Sequence, residues 1–146
     1  MAFIYETENF ILESHESPEV DRLDGGHMKI SPKVSVVDRT RLNPKLAIEL
    51  MRFTIVSGRA MVQGLEKQGI NIGRINYQDN GNWKPELHVH LYGRAVDAKQ
   101  QLFGNPILPG HKDSYFPLNE RDIECIKYEI QDLFELKEYQ DKEWKL

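Results

Sequence analysis

The sequence of 146 residues predicts one domain, residues 1–146, that combines strands with helices. Three observations carry this expectation. From Glu86 to Arg94, polar and apolar residues alternate with period two, the pattern of a half-buried strand. Leu46, Leu50, Phe53, Met61 and Leu65 recur near helical spacing in the middle of the chain. Ile123, Ile126, Ile130 and Leu133 repeat that stripe near the C-terminus.

The elements follow in order. Phe3–Glu6 and Asn9–Glu13, rich in Phe, Ile, Leu and Tyr, read as two short strands. The polar stretch Ser14–Asp24, which contains Pro18, reads as a loop. Gly25-Gly26 permits a tight turn or the close approach of a ligand to backbone, and leads into a strand over His27–Lys33. A long helix starts at Asn43-Pro44, with Asn as cap and Pro at the first helical position. It ends near Lys67-Gln68-Gly69, where Gly serves as the C-terminal cap. Ile70–Tyr77 alternates as a strand, Asp79–Asn82 is a turn, and the histidine-bearing strand follows, so the two strands form an antiparallel hairpin. Residues 101–114, with two prolines and two glycines, read as a surface loop. A second helix spans about 119–138, capped by Asn119 and favoured by Glu120 and Asp122 at its positive end. The charged tail Lys137–Leu146 is expected to extend that helix, to fray, or to reach a partner chain through Trp144.

Composition narrows the function classes. The net charge of −4 argues against a nucleic-acid partner. No apolar run is long enough to span a bilayer, so no membrane partner is expected. The start, Met1-Ala2-Phe3-Ile4-Tyr5-Glu6, lacks the basic and apolar regions of a signal peptide. Cys125 is the one cysteine, which excludes an intramolecular disulfide and a multi-cysteine zinc site. The expected location is the cytoplasm, and no cofactor is expected.

The strand 86–94 holds the chemistry. Alternation sends Leu87, Val89 and Leu91 to one face and Glu86, His88 and His90 to the other, in steps of about 7 Å. Histidine suits proton transfer near neutral pH. His-x-His with Glu86 and His27 is also a possible ligand set for Zn²⁺ or a similar ion. His15 and His111 fall in loops and are expected to be solvated.

Two blocks resemble the histidine triad (HIT) family of nucleotide hydrolases and transferases. Gly26-His27-Met28-Lys29-Ile30-Ser31-Pro32-Lys33 is similar to the family's Gly-His strand that ends in Pro and a basic residue. His88-Val89-His90-Leu91-Tyr92-Gly93-Arg94 is similar to the last two thirds of its His-φ-His-φ-His-φ-φ signature, where φ is apolar. The resemblance covers about residues 3–95. It implies an α+β fold with a five-stranded antiparallel sheet, one long helix and one C-terminal helix, and a homodimer.

The resemblance also implies the reaction and its residues. A histidine attacks the α-phosphorus of a nucleoside phosphoramidate or dinucleoside polyphosphate, and water hydrolyses the nucleotidyl-histidine. By this likeness His88 is the nucleophile and His90 contacts phosphate oxygens or the bridging atom. His27 supports the site, and Asn76 and Asn82 contact phosphate. Glu19 is the candidate for the ribose hydroxyls, with Glu13 and Asp21 as rivals, and Arg94 for phosphate. Two positions depart from the pattern: Glu86 replaces the first histidine, and Trp83 replaces a hydroxyl residue. A carboxylate near His88 favours the imidazolium by roughly 2 kcal/mol and repels phosphate. It can equally orient an imidazole. A catalytically silent nucleotide-binding dimer is therefore the alternative to an enzyme, beside the metal-binding protein.

Overall fold

The computed structural model describes residues 1–110 and 112–146. His111 lies outside the described residues. Five strands, β1 (Ala2–Glu6), β2 (Phe10–Ser14), β3 (His27–Pro32), β4 (Ile72–Gln78) and β5 (Val89–Ala95), form one antiparallel sheet in the order β1-β2-β3-β5-β4. Helix α1 (Pro44–Glu66) connects β3 to β4, and α2 (Glu120–Glu135) follows β5. The α+β expectation holds, with the long and the C-terminal helix both in place.

Both helices begin where local chemistry dictates. The Asn43 side chain accepts the Leu46 N–H, and Pro44 follows it. Asn119 and Asp122 exchange hydrogen bonds with each other's backbone N–H, a reciprocal capping box. Asp122 also takes both Nε and Nη2 of Arg22, at 2.8 and 2.9 Å, which ties α2 to the loop before β3. Gly64 allows the helices to meet closely, because a Cβ there would lie 2.9 Å from the Ile126 nitrogen.

Alternation then sorts the sheet into two faces. Phe10, Leu12, Met28, Ile30, Val89 and Leu91 point toward the helices and join Phe53, Met61, Ile126 and Ile130 in one core. The opposite face carries His27 and Lys29 on β3 beside Tyr92 and His90 on β5, their partners in register. That face is left for chemistry.

Most strand ends shift by one or two residues, and the histidine strand, the end of α2 and the tail differ from the sequence expectation for identifiable reasons. The histidine strand begins at Val89, not Glu86. Pro85 has no N–H to give, the Leu87 N–H bonds to the Val36 carbonyl at 2.7 Å, and β3 pairing stops at Ile30↔Val89. Helix α2 stops at Glu135, where Leu136 turns to extended backbone. The tail then folds back on its own chain rather than extending, ending in a short helix α3 (Asp141–Trp144). Arg52 Nη1 donates to the Tyr139 carbonyl and the Asp141 carboxylate, and the Trp144 indole N–H to the Glu138 carbonyl at 2.8 Å. Among the described residues no helix is long and apolar enough to cross a membrane.

Candidate active site

A cleft of about 620 Å³ opens on the helix-free face of the sheet, within the range of small-molecule sites. Its floor comes from β3 and β5, which supply His27, Lys29, His90 and Tyr92. The loop before β5 supplies Asn82, Trp83, Glu86 and His88, and the loop before β3 supplies His15 and Glu19. The structure therefore brings His88, His90, Glu86, His27, Asn82 and Glu19 together.

The histidines form an ordered relay. The Glu19 backbone N–H donates to His27 Nδ1 at 3.1 Å, so that nitrogen is an acceptor and the proton of the neutral ring sits on Nε2. His27 Nε2 lies 2.8 Å from His90 Nδ1, and with this tautomer it donates. His90 then carries its own proton on Nε2. His27 is 1 % exposed, so its ring is fixed in place between the Glu19 backbone and His90.

His88 is set differently. It sits one residue before the ladder, and its Nδ1 lies 2.8 Å from the carbonyl oxygen of Glu86. A carbonyl only accepts, so Nδ1 holds a proton, and in the neutral ring the lone pair is on Nε2. The His88 and His90 rings stand edge to face, with centroids 4.8 Å apart.

This arrangement corrects the role expected for Glu86. Its carboxylate pairs with Lys84 Nζ at 3.3 Å at the rim, and its contact with His88 is made by the main chain. Any residue at position 86 presents the same carbonyl, so loss of a histidine there leaves the tautomer of His88 intact.

Asn76 and Arg94 do not line the cleft. They satisfy each other, Arg94 Nη1 donating to Asn76 Oδ1 at 2.7 Å. Arg94 Nη2 donates to the carbonyls of Leu102 and Asn105 at 2.8 and 2.6 Å, which makes the guanidinium an anchor for the loop after β5. Of the rivals to Glu19, Asp21 spends its oxygens on the Leu23 and Phe116 N–H groups. Glu13 lies on β2, opposite Lys29, and is outside the cleft.

The cleft residues His15 and Tyr92 escaped sequence reasoning. His15 is not merely solvated: it lines the cleft, and its ring stacks on His27 with centroids 4.5 Å apart and planes 12° apart. The signal was register, since Ser14 pairs with Met28 and the His15 N–H bonds to the His27 carbonyl. Tyr92 continues the period-two face of His88 and His90, and stacks on His90 at 5.5 Å.

Burial, and secondarily the Glu19 charge, push the Tyr92 phenol up to about 12. A phenol that ionises less readily folded than unfolded contributes stability that is complete below its unfolded pKa near 10 and is lost as pH rises toward about 12. Wild-type stability in urea is therefore expected to fall over that window, and Tyr92→Phe to flatten the fall. Equal slopes for both proteins would remove Tyr92 as its source.

Metal ligation fits this set poorly. Both ring nitrogens of His27 are engaged in the relay, and among the described residues no group of three His, Cys, Asp or Glu side chains has the geometry to hold a metal ion.

Comparison with known proteins agrees with the fold. No curated protein matches the chain. Solved structures do. A histidine triad protein from Sinorhizobium meliloti shares 20 % identity, covers 90 % of this chain and 87 % of its own, and has a TM-score of 0.64. A hypothetical histidine triad nucleotide-binding protein from Sulfolobus tokodaii shares 18 %, covers 90 % and 84 %, and has a TM-score of 0.63. A histidine triad protein from Bradyrhizobium japonicum shares 15 %, covers 89 % and 87 %, and also has a TM-score of 0.63. At such identities the likeness concerns the fold alone. The HIT domain family model matches residues 1–96, about two thirds of the chain and all five strands, and by that match the chain belongs to the HIT domain family.

Proposed function

We propose that this chain is a nucleotide hydrolase or nucleotidyl transferase that acts at the α-phosphate of a nucleoside phosphoramidate or dinucleoside polyphosphate through a nucleotidyl-His88 intermediate. The observation that carries this reading is the 2.8 Å contact between His88 Nδ1 and the Glu86 carbonyl. In the neutral ring it selects the tautomer whose Nε2 lone pair can attack.

The steps balance. His88 Nε2 forms a bond to the α-phosphorus, and the bond from phosphorus to the leaving nitrogen or oxygen breaks. The leaving group takes the proton of His90 Nε2, whose position the relay from Glu19 and His27 fixes. Water, or an acceptor in the transferase case, then attacks phosphorus, returns a proton to His90 and releases His88. Phosphoryl chemistry of this kind needs positioning and charge stabilisation more than further covalent partners. Lys29 at the floor of the cleft and Asn82 at its rim are donors for phosphate oxygens. Lys84 compensates the Glu86 carboxylate, so an incoming anion meets a neutral pair. Glu19, beside the relay, is the candidate acceptor for ribose hydroxyls.

A rapid alkaline denaturing quench during turnover of adenosine phosphoramidate tests this reading, because a phosphorus–nitrogen bond to histidine survives base. The expected product is protein carrying one AMP, mapped by peptide mass to His88. Turnover with no such adduct, or an adduct elsewhere, would sink it. Trp83 stands where the family has a hydroxyl, and it favours a second reading, a silent nucleotide binder. AMP binding without turnover would select that one.

The reading includes a homodimer in the cytoplasm. In the described sheet β4 is an edge strand, and Ile48 and Met51 are exposed on α1, which supports pairing with a second copy. Sedimentation equilibrium is expected to give twice the protomer mass of 17.0 kDa. A single species at the protomer mass would remove the dimer. Cys125, unpaired in the structure, is at home in a reducing compartment.

A further inference from the structure

The family match ends at residue 96, but the cleft does not. Ile107 and Pro109 also line it, and they come from the segment after β5. That segment is held at three places. The Asp24 carboxylate accepts the backbone N–H groups of Lys99, Gln100 and Gln101 at 2.8–2.9 Å. Arg94 takes the carbonyls of Leu102 and Asn105. Gln101, 2 % exposed, makes the third tie. Its Nε2 donates to the carbonyls of Glu19 and Leu108, both at 2.9 Å, and its Oε1 accepts the Leu108 N–H at 3.1 Å.

One amide nitrogen thus binds both the Glu19 and the Leu108 main chain, so the two backbones run side by side. Glu19 is also the residue whose N–H sets His27. Ile107 and Pro109, on either side of Leu108, therefore line the cleft on a segment tied to Glu19, the residue proposed for ribose. In a nucleotide the ribose ring carries both the hydroxyls and the base, so with phosphorus at His88 and the hydroxyls at Glu19 the base falls within reach of the segment tied to Glu19.

Resting on the nucleotide reading above, we infer that Ile107 and Pro109 form the wall on which the nucleobase packs, with Gln101 as the buried positioning residue that sets this wall against Glu19. The wall belongs to a part of the chain that the family model leaves out. Side chains of this type hold a planar ring by burial of its faces and offer it no hydrogen bond.

Calorimetric titration of the full chain with AMP and with ribose 5-phosphate separates the base from the rest of the ligand. Wild type is expected to bind AMP more tightly than ribose 5-phosphate. Ile107→Ala is expected to weaken AMP by about five- to tenfold, the scale of a lost buried apolar contact, and to leave ribose 5-phosphate within about twofold. Gln101→Met, which keeps the bulk and removes the three hydrogen bonds, is expected to show the same selective loss. Because Gln101 is buried and its variant can misfold, Ile107→Ala decides the matter alone. Equal loss for both ligands, no loss for either, or a wild type that binds both equally would overturn the wall while leaving the nucleotide reading standing. Wild type that binds neither ligand would overturn the nucleotide reading, and the wall with it.

Discussion

His88→Ala is expected to lower turnover of adenosine phosphoramidate by roughly 10⁴-fold or more, the scale seen when a covalent nucleophile is deleted. The argument is local. Alanine removes the Nε2 that forms the intermediate but leaves the relay from Glu19 through His27 to His90, which does not pass through residue 88. The variant should fold as wild type, since His88 is half-buried and its ring is held through one hydrogen bond to a neighbouring carbonyl. AMP affinity should change little, because phosphate and ribose contacts come from other residues. The expected signature is thus a collapse of kcat with a nearly constant ligand Kd and an unchanged melting temperature. Equal rates for wild type and variant would exclude His88 from the mechanism.

The contrast between His88 and Glu86 shows what sequence could and could not reveal. A carboxylate in a histidine position invites an electrostatic argument about the neighbouring imidazole. The structure answers it with the backbone, since the carbonyl of residue 86 selects the tautomer and the carboxylate turns to Lys84. Side-chain identity is what a sequence displays. Main-chain hydrogen bonds depend on the path of the chain, and Pro85 and the Leu87–Val36 bond set that path by delaying the strand to Val89.

Locally encoded features were legible. Asn43-Pro44 marks the start of α1, and Gly69, with its positive φ of 80°, marks its exit. Asn119 and Asp122 mark the start of α2. His27, His88 and His90 could be grouped because two motifs carry them, although 63 residues separate His27 from His90. His15, Tyr92 and Gln101 lay beyond reach for different reasons. His15 joins the cleft through the β2–β3 register, and Tyr92 was hidden in a motif position read as apolar. Gln101 acts through two main-chain carbonyls far apart in sequence. Arg94 failed in the opposite way: its type suits phosphate, yet burial, two loop carbonyls and the Asn76 side chain on β4 occupy its terminal nitrogens.

Gly93→Ala is expected to damage both stability and turnover, while Gly104→Ala should be neutral. A Cβ at residue 93 would fall onto the Gly25 carbonyl oxygen and lie 2.9 Å from Ile72 Cδ1, whereas one at residue 104 would meet nothing within 4 Å. The obstacle at Gly25 is backbone and cannot rotate away. Gly25 is itself fixed by a φ of 132°, a conformation that side-chain-bearing residues rarely adopt. The methyl must therefore drive the loop before β3 away from β5. That movement breaks the 3.0 Å bond from the Gly93 N–H to the Gly26 carbonyl, immediately beside the His27–Tyr92 pair. Overpacking of this kind costs about 2–3 kcal/mol. For a chain of this size that corresponds to a melting temperature lower by roughly 5–10 °C. The two backbones at Gly25 and Gly93 hold His27 against His90, so turnover should drop together with stability, where His88→Ala lowers turnover alone. Differential scanning calorimetry of both glycine variants beside their rates tests this. A Gly93→Ala protein as stable and active as Gly104→Ala would show that the two backbones separate at no cost to the relay.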